Sequence, residues 1–197
     1  MKNNKKKFLK SIKENINLKK KLIHLNDKIN KSIEIIFDTL KNKNKVFICG
    51  NGGSAADAQH LSAEFLVRLR PNVDRKPLPI ISLALDTSTI TACGNDYNFD
   101  KIFSRNLEAL ATKGDLLICI STSGNSKNIL NVLKTAKKLE INSLSFLGKG
   151  GGKAKKLSKN NIIVPHNNTA RIQEAHIFLG HFILEIVEDL LLQKKLI

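Results

Sequence analysis

The sequence predicts an α/β protein: a three-layer α/β/α sandwich with a central five-stranded parallel sheet, preceded by an N-terminal helix. Three observations carry that expectation. Five short runs are rich in Val, Ile and Leu with little polar alternation, as expected of strands covered on both faces. Helical stretches separate them, and β-α alternation specifies a parallel sheet. Polar and glycine residues gather directly after the runs, where such sheets bind ligands.

The elements follow in order. From Lys7 to about Leu40, apolar residues recur mostly every three or four positions (Phe8, Ile12, Ile16, Leu18, Leu22, Leu25, Ile29, Ile33, Ile36, Leu40). That spacing predicts an amphipathic helix, continuous or broken, with Lys and Asn outside. A helix of this length ahead of the core needs a packing partner, for which another subunit is a natural candidate. Residues 1–42 therefore form a helical segment for oligomer packing, and 43–197 the main domain. The strand runs are VFICG, LPIISLAL, DLLICIS, NSLSFLG and NIIVP. Helices are expected at about 54–70, 99–111, 126–140, 151–158 and 170–194.

Composition bounds the function. The 197 residues carry a net charge of +16, but residues 1–45 alone hold 14 lysines against 4 acids. The excess sits in a Lys/Asn/Ile-rich leader. There is one Tyr, no Trp and no RNA- or DNA-reading motif, so a surface that attracts anionic substrates is the simpler reading than nucleic-acid binding. No apolar run approaches the ~18 residues of a membrane span, and the N-terminus lacks a signal-like apolar stretch. The expectation is a cytoplasmic protein with no membrane contact. Cys49, Cys93 and Cys119 form no CxxC pair and read as buried, reduced thiols.

Four motifs carry chemistry. Gly50-Asn51-Gly52-Gly53-Ser54-Ala55 fits G-x-G-x-x-A between a strand and a helix, but the next strand-end acid, Asp86, lies more than thirty residues on. A dinucleotide fingerprint expects an acid at about 20. What survives is a backbone that a ligand can approach closely, with Ser54 placed to cap the helix and Asp57 at capping-box spacing. In ISTSGNSKNIL, the hydroxyls of Ser121, Thr122, Ser123 and Ser126 surround a glycine where a strand gives way to a helix. A helix N-terminus with added hydroxyl donors holds a phosphate, and without GK[ST] a sugar phosphate suits it better than a nucleoside triphosphate. His60 and Glu64, four apart on one helix face, suit two metal ligands or an acid–base couple. On the last helix, Gln173, His176 and His181 are polar points on an apolar background. Gln173 and His181 stand eight residues apart, about 12 Å along the axis, so a metal shared by both is near the geometric limit.

The segments CGNGGSAADAQHLSAEFLVR, TACGNDYNFDKIFSRNLEALATKGDLLICISTSGNSKNIL and ARIQEAHIFLGH together resemble the sugar-isomerase (SIS) family, and within it the phosphoheptose isomerases. The likeness runs from about Leu40 to Leu191. It implies a zinc ion, one per subunit, held by His60, Glu64, Gln173 and His181. It also implies an acid–base pair of Glu64 and His181. Substrate contacts would fall on Asn51, Gly52, Gly53, Ser54, Arg68, Asn95, Asp96 and Gln173, beside the phosphate loop of Ser121, Thr122, Ser123 and Ser126. The family's members are homotetramers with active sites at subunit interfaces, which would give the N-terminal helix its partner. His166 to Thr169 departs from the family pattern, so no substrate contact is carried over there.

The implied reaction interconverts sedoheptulose 7-phosphate and an aldoheptose 7-phosphate through a cis-enediol. One group must take a carbon-bound proton and return it, while another manages the oxygens. Two other readings stay within the same fold. One is a non-catalytic SIS protein that binds the replication initiator, which lacks the catalytic Glu and the last His; this chain has Glu64 and His181. The other is a member that senses or isomerises a different sugar phosphate, which shares the phosphate loop but not the His60/Glu64 and Gln173/His181 helices.

Overall fold

Five strands form one sheet, all parallel: β1 (Val46–Gly50), β2 (Ile80–Ser82), β3 (Leu116–Ser121), β4 (Asn142–Leu147) and β5 (Asn160–Ile163), in the order β2-β1-β3-β4-β5. The computed structural model describes residues 2–197. Seven helices complete it: α1 (Lys2–Leu22), α2 (Asn26–Lys41), α3 (Gly53–Leu66), α4 (Thr87–Asp96), α5 (Ile102–Leu110), α6 (Lys127–Lys138) and α7 (Thr169–Gln193).

The strand side chains alternate between two cores, as the pleat requires. Val46, Ile48, Leu116, Ile118, Leu144 and Phe146 face a layer built from α1, α2, α3 and α7. Phe47, Cys49, Leu117, Cys119 and Leu147 face the other layer, where Phe103 and Leu107 of α5 and Ile129, Val132 and Leu133 of α6 cover them. This is the expected α/β/α sandwich with its five-stranded parallel sheet and leading helix. Cys49 and Cys119 are register partners on neighbouring strands, with their sulfurs 3.6 Å apart. All three thiols are buried and free, and burial pushes the Cys119 thiol well up, as expected of inert core cysteines.

Several boundaries differ from the sequence reading, each for a physical reason. The long N-terminal helix breaks at a 3₁₀ turn, Ile23–Leu25, and α2 then sets its apolar face on α7. The helix expected at 151–158 is instead two 3₁₀ turns, Lys149–Gly151 and Ala154–Lys156. Gly150, Gly151 and Gly152 all take positive φ (74°, 88° and 52°), which no right-handed helix accommodates. The second strand shrinks from 78–85 to Ile80–Ser82 at the sheet edge, since Pro79 has no N–H for a ladder. Helix α4 has no signature in the sequence, because Thr, Ser and Asn dilute its apolar period; it is set by Asp86, whose side chain accepts from the Ser88 N–H. Asp86 thus caps a helix, consistent with its not serving a dinucleotide ribose.

Ser54 does not cap α3. Gly52 holds that position, and Ser54 is buried one residue inside the helix. Asp57, expected to complete a capping box, keeps a buried Oδ2 that accepts no hydrogen bond, and burial raises its pKa.

His176 is a core residue. It is fully buried against Phe146, donating from Nε2 to the Leu147 carbonyl at 3.1 Å, while Nδ1 is buried without a partner. Burial lowers its pKa to about 4, against the weaker opposing effect of the Leu147 bond. Because the folded value lies below the unfolded ~6.5, its stabilisation is intact above about pH 6.5 and lost as pH falls toward about 4. Urea melts at pH 7, 6 and 5 should therefore lose on the order of 1 kcal/mol per pH unit more in the wild type than in His176→Gln, which cannot charge.

Candidate active site

The strand order places a topological switch point between β1 and β3, where the connections leave in opposite directions. The Asn51–Ser54 turn follows β1 and the Ser121–Ser126 loop follows β3, so the two glycine- and hydroxyl-rich loops are neighbours. Asn51 and Asn128 lock them together by exchanging side-chain hydrogen bonds of 2.9 and 2.8 Å. The sequence carries no signal for Asn128, since an Asn in a helix's first turn is unremarkable until its partner is seen.

The loop after β3 is shaped for an anion. Ser126 stands at the N-cap of α6 in extended geometry, and its hydroxyl makes no capping bond. The N-terminus of this twelve-residue helix follows directly on Thr122, Ser123 and Ser126, all of them half-exposed, and its Ile129 N–H donates to Asn128 Oδ1 at 2.9 Å. Ser121 and Ser123 brace the turn instead, accepting from the Gly124 and Asn125 N–H groups. Gly124 has φ 62°, and a Cβ there would lie 2.1 Å from the Gly151 carbonyl oxygen. The loop after β4 closes against it through Ala154 N–H to Gly124 O and Lys153 N–H to Asn125 Oδ1.

Helices α3 and α7 lie side by side and run parallel: Gln173 packs on Gly53, and seven residues further on Gly180 packs on Leu61. A Cβ on Gly180 would approach Leu61 Cδ1 to 2.6 Å, so glycine lets the two helices meet closely. That approach brings His60, Glu64 and His181 together, with one ligand-capable atom from each lying within 4.8 Å of the others. His60 Nε2 is 2.8 Å from His181 Nε2 and 3.3 Å from Glu64 Oε1, and the imidazole rings meet edge-on at 89°. Burial lowers the His181 pKa, and His60 adds to the effect, so its ring favours the neutral form that ligates metals or accepts protons.

Two imidazoles and a carboxylate are the donor set that zinc prefers. The His nitrogens would need to separate only from 2.8 Å to about 3.3 Å to share a tetrahedral zinc with bonds of about 2.0 Å, so the residues fit that ion. Gln173 lies over the glycine turn, its amide nitrogen 2.6 Å from where a Gly53 Cβ would stand. Its eight-residue distance from His181 remains, as the helix pitch dictates.

The other expected substrate residues are more dispersed. Arg68 is exposed two residues beyond α3. Asn95 and Asp96 are exposed at the end of α4, where Asn95 donates to Asp96 at 2.9 Å. In the ARIQE stretch, Arg171 pairs with Glu174 and with Ser11 of α1, and Glu174 accepts from Asn15. Those two charges bind the leader helix to α7, while Gln173 alone turns toward the site.

Comparison with known proteins agrees with this architecture. Residues 8–148 match the family model described as SIS domain. The chain belongs to the SIS domain family. Its relatives include phosphoheptose isomerases: that of Campylobacter concisus is 54% identical over 156 residues, 79% of this chain and 82% of that one. That of Clostridium acetobutylicum is 46% identical over 187 residues, 93% and 94% of the two chains. The solved phosphoheptose isomerase of Neisseria gonorrhoeae superimposes with a TM-score of 0.88 at 37% identity, covering 94% of this chain and 98% of that one. The Francisella tularensis phosphoheptose isomerase gives 0.90 at 33% identity, with the same coverage.

The geometry of the β3 loop makes a direct prediction. Gly124→Ala should cost about 1–3 kcal/mol in chemical denaturation, from the disfavoured φ and the clash with the Gly151 carbonyl.

Proposed function

We propose that this protein is an aldose–ketose isomerase converting D-sedoheptulose 7-phosphate to D-glycero-D-manno-heptose 7-phosphate, the first step of bacterial ADP- or GDP-heptose biosynthesis. The observation that carries the reading is the convergence of His60, Glu64 and His181 on one point where α3 meets α7. The phosphate-shaped loop after β3, at the same switch point, and relatives named phosphoheptose isomerase support it.

The phosphate is held by the α6 N-terminus with Ser121, Thr122, Ser123 and Ser126. Asn51, Gly52, Gly53, Ser54 and Gln173 line the sugar, and Arg68, Asn95 and Asp96 complete its contacts. Glu64 removes a proton from C1 of the ketose as the C2 oxygen gains one, giving the cis-enediol. Glu64 then returns its proton to C2 while the C1 hydroxyl gives one up, leaving the C1 aldehyde. His181 carries the proton between the two oxygens. No oxidant is consumed, because C1 and C2 exchange oxidation states. One zinc per subunit, held by His60, Glu64, Gln173 and His181, would supply a Lewis acid for those oxygens. A carboxylate on a metal is a weaker base, so Glu64 serves both roles only by loosening one.

The assembly we propose is a homotetramer with the sites at subunit interfaces. Phe8, Leu9, Ile12 and Ile16 of α1 and Phe178 and Phe182 of α7 are exposed apolar side chains that such packing would cover. In that assembly residues 1–42 serve as the packing segment and 43–197 as the SIS domain. No helix among the described residues is long and apolar enough to cross a membrane. We place the enzyme in the cytoplasm, since a doubly charged sugar phosphate does not cross a bilayer unaided.

NMR of purified protein with sedoheptulose 7-phosphate should show the aldoheptose 7-phosphate form, stop on chelation and resume with Zn²⁺. Absence of product with metal present would favour a binding protein. Glu64→Gln should lower kcat by about 10²–10⁴-fold with the oligomer unchanged on size-exclusion chromatography. Near-normal turnover would sink its assignment as the base.

A further inference from the structure

The last turn of α3 ends against a buried charge cluster that the chemistry above leaves unexplained. Arg75, in the connection from α3 to β2, has a fully buried side chain. Its Nη2 donates to the Glu64 carbonyl at 2.8 Å and its Nη1 to the Phe65 carbonyl at 3.0 Å. Both carbonyls lie in the last turn of α3, where a helix supplies no internal partner, and the Phe65 carbonyl accepts from the Leu78 N–H as well, at 2.9 Å. Its Nε donates to Glu188 Oε1 at 2.5 Å, and Glu188 is itself fully buried on α7. Arg70 donates to the other oxygen of Glu188 at 2.7 Å and to Asp189.

The placement ties this cluster to the reaction centre. Glu188 follows His181 by seven residues, two helical turns, and so lies on the same face of α7, toward α3. Glu64 receives Arg75 on its own backbone while its carboxylate meets His60. One guanidinium therefore spans the helix bearing His60 and Glu64 and the helix bearing His181. Leu61 against Gly180 sets how closely the helices approach; Arg75 against Glu188 resists their sliding. Here three separate nitrogens of a planar fork each serve one acceptor; a lysine ammonium has the charge, but its donors sit on a single atom and cannot reach all three positions.

We propose that Arg75 is a positioning residue, which locks α3 to α7 through Glu188 and thereby sets the spacing of His60, Glu64 and His181. The proposal rests on the reading of those three as the metal and reaction centre. Its test is Arg75→Lys, which keeps the positive charge beside Glu188 but cannot fork. The full-length protein is titrated with Zn²⁺ alone against a chelating dye, and kcat and KM are measured with sedoheptulose 7-phosphate. Positioning of ligands is worth about 10–100-fold in metal affinity, so Zn²⁺ binding should weaken by that factor. In the same variant kcat should fall at least about tenfold with KM within about twofold, the signature of a displaced reaction centre on an intact phosphate site.

A residue that only neutralised Glu188 would be rescued by lysine. Zn²⁺ affinity and kcat both within about twofold of wild type in folded Arg75→Lys would overturn the proposal, whatever the change in Tm. Should Arg75→Lys not fold, Arg75→Gln combined with Glu188→Gln removes both buried charges together, and the same limits judge it. Full turnover by Glu64→Gln would instead remove the reading of the centre, and the Zn²⁺ titration would still decide the role of Arg75.

Discussion

The site depends on one contact: α3 and α7 pack in parallel, with Leu61 seated directly on Gly180. Leu61 fills the space a side chain would take there, and the helices then carry His60, Glu64 and His181 to a common point. Because protein interiors are close-packed, a methyl group added at this crossing must be absorbed by moving Leu61 or the helix that bears it. The chemistry is assembled from two segments more than a hundred residues apart, each placed by the sheet it covers.

The sheet supplies the second requirement. Its order reverses between β1 and β3, which leaves a crevice at their carboxyl ends, and the adjacent loops supply glycines on one side and hydroxyls on the other. Paired amides of Asn51 and Asn128 hold the crevice walls together, so that the phosphate end and the α3 helix start keep a fixed relation. In the proposed reaction, a substrate anchored through its phosphate would present its far carbons to α3 and α7, converting binding energy at one end into orientation at the other.

Much of this was legible in one dimension. The two-sided apolar runs marked all five strands, and the loops following β1 and β3 declared themselves by glycine and hydroxyl content. The i, i+4 spacing was enough to put His60 and Glu64 on one helix face. The resemblance then named His181 as their partner, and the fold brought it there. Less was legible where local signals compete. Gly150 to Gly152 defeated a helix that the flanking lysines suggested, and Asp86 set one that the residues of α4 concealed. Ser54 looked like a cap because capping patterns are local, yet the turn that precedes it put Gly52 in that place.

By itself, then, the sequence determined the layers, the strand count, the hydroxyl-rich loop after β3 and the residue types at the candidate site, since periodicity and turn chemistry act over a few neighbouring residues. Only the tertiary structure decided which of those residues meet. Gln173 and His176 are both polar points on the same helix, but one turns to the glycine of α3 and the other into the core beneath β4. Arg75 and Glu188 carry no motif at all; their roles come from two chain segments buried against each other, where a charge must find a partner because water is absent.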